Sequence, residues 1–384
     1  MIAYNREGLD ALLTRDTASQ WHKKGLISDE KWQAIEAHYP SNFYSPNVFV
    51  RIGLALFSLI LLIAVMGLIV LLGNFSSEGS LSILCFIWGV ICLGVLEFRI
   101  IQAGRHLGSG IDDMLLYFGA GCLITCFCNG LDYTTPTLVY QMIAWPFLVL
   151  GAVRYLDRLM AAAAFGCSFY IVLLVVKEIP TLALLLLPFA GMAFSAGAYF
   201  FARFGQKRYE WRHWHGVLTI VEMLALLTFY ASGNYWVVQQ AGFELYQLEQ
   251  APMAWFFWVF TFLVPLMYIF QGLRRKDRHL LDVGLGCIGL AVFTFRYYFH
   301  VLPLTWAAVI GGAVFFATAY FSIRYLRQHE GAFTYEEDSE TSLLQEIEQQ
   351  LIEQTIANQP GPKPEKQDGF GGGQFGGGGA SGEF

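Results

Sequence analysis

Four places in this 384-residue chain carry residue types that could do chemistry. "GLGCIG" sets Gly284, Gly286 and Gly289 at the spacing of a dinucleotide-binding loop. His213 and His215, beside Trp211 and Arg212, offer two imidazoles of the kind that ligate metals. Glu222 and Arg296 are ionisable residues in otherwise apolar runs, where such groups count as functional candidates by default.

Each place has a requirement that the surrounding sequence tests. A dinucleotide loop follows a β-strand and opens a helix, so that phosphate meets free N–H groups. Here the motif follows "RRKDRHLLDV" and lies inside a hydrophobic run. The glycines are expected instead to let another helix approach closely, as are Gly119/Gly121, Gly191/Ser195/Gly197 and Ala308/Gly312. His213-Trp-His215 is not an HExxH pattern, and no third ligand stands nearby. With Arg208, Trp211, Arg212 and Trp214 it reads as an amphipathic interface segment on the cytoplasmic side. Glu222 has two readings: a proton or cation site facing the bundle interior, or a carboxylate satisfied by Arg212, His213 or His215 one or two turns earlier. Glu97 sits at a helix end beside Arg99. No P-loop, GxSxG or Ser–Lys arrangement is present, so no catalytic residue, metal site or cofactor is expected.

The elements that position these residues are set by hydropathy. Hydrophobic residues make up 55% of the chain and charged residues 14%, where soluble proteins carry about 25% charged. Charge vanishes over stretches long enough to cross ~30 Å of hydrocarbon as helix. Ten spans are expected, at 51–73, 80–98, 114–130, 138–153, 159–176, 181–201, 217–237, 253–272, 281–299 and 304–323. With the N-terminus inside, the inner loops hold twelve Lys or Arg residues, among them Arg99, Arg154, Arg203, Arg212, Arg274 and Arg275. The outer loops hold two, Lys177 and Arg296. This bias predicts an all-α integral membrane protein with both termini cytoplasmic. Asp282 and Arg296 interrupt the ninth span, but at fourteen positions apart each falls near one interface. The first apolar run begins about fifty residues in, which does not fit a cleavable signal peptide. All seven cysteines fall inside expected spans and read as small apolar residues.

The regions outside the spans differ from one another. Residues 1–50 are expected to form a small cytoplasmic helical region. Gly25 ends one helix and Ser28 caps the next, with Leu12, Leu13, Trp21, Leu26, Trp32 and Ile35 in apolar contact. After the membrane domain at 51–327 comes an acidic segment at 328–358, then a Pro/Gly-rich tail at 359–384 that is expected to be disordered. Residues 328–384 carry a net charge of −9 and residues 1–327 a net +3. Leu344, Ile347, Leu351 and Ile352 recur at helical spacing with glutamates between them. Anionic lipid repels such a helix, so a protein partner or self-association is expected there. No nucleic-acid partner is expected; the lipid bilayer is.

Trp21, the "GLIS" of Gly25–Ser28, Ile35 and Tyr39, followed by an apolar span, resemble the N-terminal region of a family of bacterial multi-pass membrane proteins defined by a domain of unknown function. The resemblance implies a bacterial inner membrane and no known chemistry. The ending "GGGQFGGGGASGEF" is similar to the Gly-rich C-terminus of TPM-domain proteins, with Glu383 and Phe384 in place of the usual Ser–Trp and no TPM domain evident. It implies a shared handling or partner of the tail. The expected function is a membrane scaffold or complex subunit with cytoplasmic interaction ends. The alternative is a small-solute secondary transporter that uses Glu222, since ten spans divide into two inverted sets of five. An intramembrane transferase has the least support.

Overall fold

The regular elements follow the apolar runs, because backbone groups removed from water must pair within the segment. The computed structural model describes residues 2–299 apart from 24, 41–42, 74–77, 132–133, 180–182 and 248–249, together with 309, 312, 313, 316, 320 and 324. Its elements are helices: α1 Arg6–Lys23, α2 Asp29–His38, α3 Val48–Leu72, α4 Glu78–Val95, α5 Ile111–Cys128 and α6 Thr137–Tyr155. Then come α7 Arg158–Lys177, α8 Ala183–Gln206, α9 His215–Gly233, α10 Tyr235–Tyr246, α11 Ala254–Arg275 and α12 Arg278–Phe299. A π-helical turn, Leu96–Ala103, continues α4, and a 3₁₀ turn, Tyr209–Trp214, leads into α9.

Eight segments are long and apolar enough to cross a bilayer: Val48–Leu72, Gly79–Ala103, Ile111–Cys128, Thr137–Tyr155, Arg158–Lys177, Tyr209–Gly233, Ala254–Arg275 and Arg278–Phe299. They fit a multi-pass membrane protein, which would contact the lipid bilayer. Eight, not ten, is the number among the described residues. The sixth expected span falls on α8, a 24-residue helix as apolar on average as α6 and α11 but not among the eight. The tenth, 304–323, lies outside the described residues apart from a few positions. The seventh, expected at 217–237, is two helices: α9 stops at Gly233, Asn234 is extended (φ −71°, ψ 129°), and α10 begins.

Consecutive helices pack as antiparallel pairs: α4 on α5, α6 on α7, α8 on α9, α11 on α12. Small residues explain only some of these contacts. A Cβ on Gly119 would meet Cys92 and Leu93, and one on Gly284 would meet Tyr268 and Ile269. Gly191 faces Ser232, whose hydroxyl would lie 2.5 Å from an added Cβ. Gly121, Gly197, Gly286, Gly289 and Gly312 have nothing within 4 Å among the described residues. "GLGCIG" itself lies within α12, with no strand before it.

Charged side chains collect at one end of the bundle, where helices that start and helices that finish meet. Arg51 on α3 pairs with Asp113 on α5 at 2.6 Å. Glu97 pairs with Arg154 at the end of α6, and Tyr155 donates to it at 3.2 Å. Arg154, not the neighbouring Arg99, is thus its partner. Asp157 caps α7 through Met160 N and accepts a bond from Tyr117. Asp112, only 4% exposed, accepts from the backbone N–H groups of Gly108, Ser109 and Gly110. Gly110 has φ +93° and would place a Cβ 2.3 Å from the Arg51 carbonyl, so no side chain fits there.

The N-terminal helices rest on this end. Gly25 (φ +72°) turns the chain between α1 and α2, and Ser28 Oγ accepts from Lys31 N. Trp21 and Ile35 are buried with Leu9, Ala18 and Ile27, while Leu13 and Leu26 face outward, which removes those two from the expected contact. Ala3 N donates to the Arg154 carbonyl at 2.9 Å. Tyr4 and Leu9 join a core that includes Leu116, Met160 and Val217. Burial, followed by the charges of Asp112, Asp113 and Asp157, raises the Tyr4 pKa far above the usual phenol value, so the hydroxyl stays protonated.

Candidate functional site

Glu222 is 1% exposed, near the start of α9 and facing the last turn of α8. Arg203 and Gln206 lie three residues apart on α8, one turn, and so share the face turned toward it. Arg203 Nε stands 2.8 Å from Glu222 Oε1, and Gln206 Nε2 donates to Oε2 at 2.8 Å. The arginine contact is a charge contact, since Oε1 lacks an aligned donor while Oε2 has one. A second guanidinium nitrogen meets Asp277, whose other oxygen accepts from Leu280 N at the start of α12. One cation therefore joins two carboxylates and ties α8 to α9 and to the α11–α12 turn. Chemically this is a closed ionic latch: the low-dielectric surroundings strengthen each contact and make loss of either partner costly.

Among the described contacts, none of the partners expected for Glu222 bonds to it; His215 lies near enough only to feel its charge. The 3₁₀ turn directs Arg212 and His213 toward α1, where Asp10 accepts from Arg212 at 2.7 Å and lies 3.3 Å from His213 Nε2. Arg212 also sits over the Tyr209 ring, and Trp211 packs on Phe201. His215 is exposed, with Nδ1 3.4 Å from the Thr219 hydroxyl. Trp211, Arg212 and His213 thus face inward, against the rest of this end. Among the described residues no three His, Cys, Asp or Glu side chains gather as a metal would need. Arg296 is half-buried on α12, about 27 Å along that helix from Arg278, so it is not part of the Glu222 group. Leu344, Ile347, Leu351 and Ile352 lie outside the described residues.

A second polar group is absent from the sequence reading. Asn234 is 2% exposed at the α9–α10 break. Its Oδ1 accepts from Trp236 N at 3.0 Å and from the Thr294 hydroxyl at 3.1 Å, and its Nδ2 donates to the Tyr230 oxygen at 2.9 Å. Thr261 Oγ1 accepts from Tyr235 N at 2.9 Å. Pro265 explains the next bond. It has no N–H for the carbonyl of Thr261, four residues back, and the Tyr230 hydroxyl donates to that carbonyl instead, at 3.3 Å. Asn followed by aromatics, with a proline one helix away, was the available signal.

No family model, curated protein or solved structure matches the chain.

Proposed function

We propose that the chain is a ten-span protein of a bacterial inner membrane, as its resemblance to the multi-pass family implies, N-in and C-in, and that it works as a scaffold or complex subunit. One observation carries the reading: charged groups at the basic end close on one another and on the N-terminal helices, and Glu222 is enclosed by Arg203 and Gln206. A side chain so enclosed serves position better than traffic. The basic end and the acidic segment at 328–358 supply the surfaces for partners. The test is a chain ended at about residue 330, compared with the full chain by pull-down from the same membranes. Loss of a defined subset of partners is expected, and an unchanged set overturns the reading.

A secondary transporter using Glu222 is favoured by one feature, the helix interruption at Asn234 beside Pro265, since broken helices and buried acids recur in transporters. Proton-coupled uptake into liposomes that disappears in Glu222→Gln would establish it.

A further inference from the structure

One side of α11 borders a groove of about 700 Å³ whose described lining is Leu266, Met267, Phe270, Gln271, Arg274 and Arg275. These residues form two adjacent rows at four-residue spacing, Leu266–Phe270–Arg274 and Met267–Gln271–Arg275. Each row starts apolar and ends in a guanidinium. Leu266 is 59% exposed and Met267 47%. Arg274 and Arg275 are also exposed, and neither has an acidic partner among the described residues. The nearby carboxylate, Asp277, is already engaged by Arg203.

We propose that these rows seat an anionic phospholipid, with its phosphate between Arg274 and Arg275 and an acyl chain along Leu266 and Met267. The rows run about 12 Å from Arg274 to Leu266, away from the basic end, which matches a headgroup followed by the first part of a chain. Two guanidiniums present paired donors to phosphate oxygens. The chain's own acidic segment at 328–358 is the other anionic candidate. Seating it would draw glutamates along an apolar surface at membrane depth, where an unpaired carboxylate is strongly disfavoured. The proposal rests on the reading of the chain as a membrane protein.

The test uses the full chain, reconstituted in vesicles of phosphatidylcholine with a minor fraction of phosphatidylglycerol. The protein is then extracted in mild detergent and its retained lipid quantified by mass spectrometry. Phosphatidylglycerol should be enriched, and R274Q/R275Q should lower that enrichment about 30-fold, taking about 1 kcal/mol per basic side chain. Met267→Asn should lower it as well, through the chain contact. Arg208→Gln, at a cation stacked on Phe204, should leave it unchanged. Enrichment that survives R274Q/R275Q, or that falls equally in Arg208→Gln, overturns the proposal. Displacement of the lipid by excess glycerol phosphate also overturns it, because a bare phosphate site would then suffice. So does a large rise in retention when the chain ends at residue 327, which would make the acidic tail the occupant. A chain that stays in the aqueous phase without detergent overturns the membrane reading itself, whereas a membrane-bound chain with no enrichment overturns only the seat.

Discussion

Arg203 is the side chain on which most depends, because it alone among the described residues pairs with two acids, Glu222 and Asp277. Arg203→Ala leaves Glu222 buried with only Gln206 for support. That should cost about 3 kcal/mol, the low end for a broken buried pair because Arg203 is itself partly exposed. Adding Glu222→Gln to Arg203→Ala should recover part of the loss by removing the stranded charge. Thermal melts of the detergent-solubilised single and double variants read this directly, and strictly additive destabilisation would show that the two residues are not coupled. That Glu222 needs a partner was legible in the sequence, since an acid in an apolar run must find a partner or a task. The partner was not legible. Arg212, His213 and His215 are near in sequence, but the 3₁₀ turn sends the first two to Asp10, and α8 brings Arg203 and Gln206 instead. Proximity along the chain is a poor guide where a turn lies between.

At the scale of elements, apolar runs gave the helices their places because length and hydropathy alone decide whether a segment can cross a bilayer. The interruption at Asn234 was hidden for the same reason: the residues on both sides are apolar, and one Asn scarcely changes a hydropathy average. Its effect is local and strong, since its side-chain oxygen satisfies amides that would otherwise be orphaned at the start of α10. Asn234→Ala removes that cap and the bonds to Thr294 and Tyr230, and should cost about 2 kcal/mol. Amide hydrogen exchange at Trp236 and Val237 should rise in this variant before exchange elsewhere does. Unchanged protection at those amides would show that packing alone starts α10. The glycines teach the converse. Gly284 meets Tyr268 and Ile269, whereas Gly286 and Gly289, with the same motif around them, meet nothing among the described residues. A small residue permits close approach, but which face a neighbour occupies is set by the pairing of helices.

For the molecule as a whole, the ion pairs supply a check on threading that hydropathy cannot. They join the start of α3 to that of α5, the end of π-extended α4 to that of α6, and the end of α8 to the starts of α9 and α12. Starts and ends alternate at this face, as a chain passing back and forth requires. The N-terminal helices lie against it, held in part by Asp10 on Arg212. Asp10→Ala removes a partly exposed pair worth about 1 kcal/mol, so trypsin should cut near Arg15 and Lys31 several-fold faster while the spans stay intact. The same face carries most of the basic residues, including Arg154, Arg203, Arg212, Arg274 and Arg275, whereas Lys177 and Arg296 lie toward the other. Translocation resists lysine and arginine in short loops, so the basic face should remain in the cytosol. A reporter fused after Arg275 should therefore report a cytoplasmic position, and one fused after Lys177 the opposite side. Because the ion pairs lock these helix ends together, a periplasmic signal after Arg275 could not be blamed on one misplaced helix. It would invert every span, and with them the leaflet from which α11 draws its lipid.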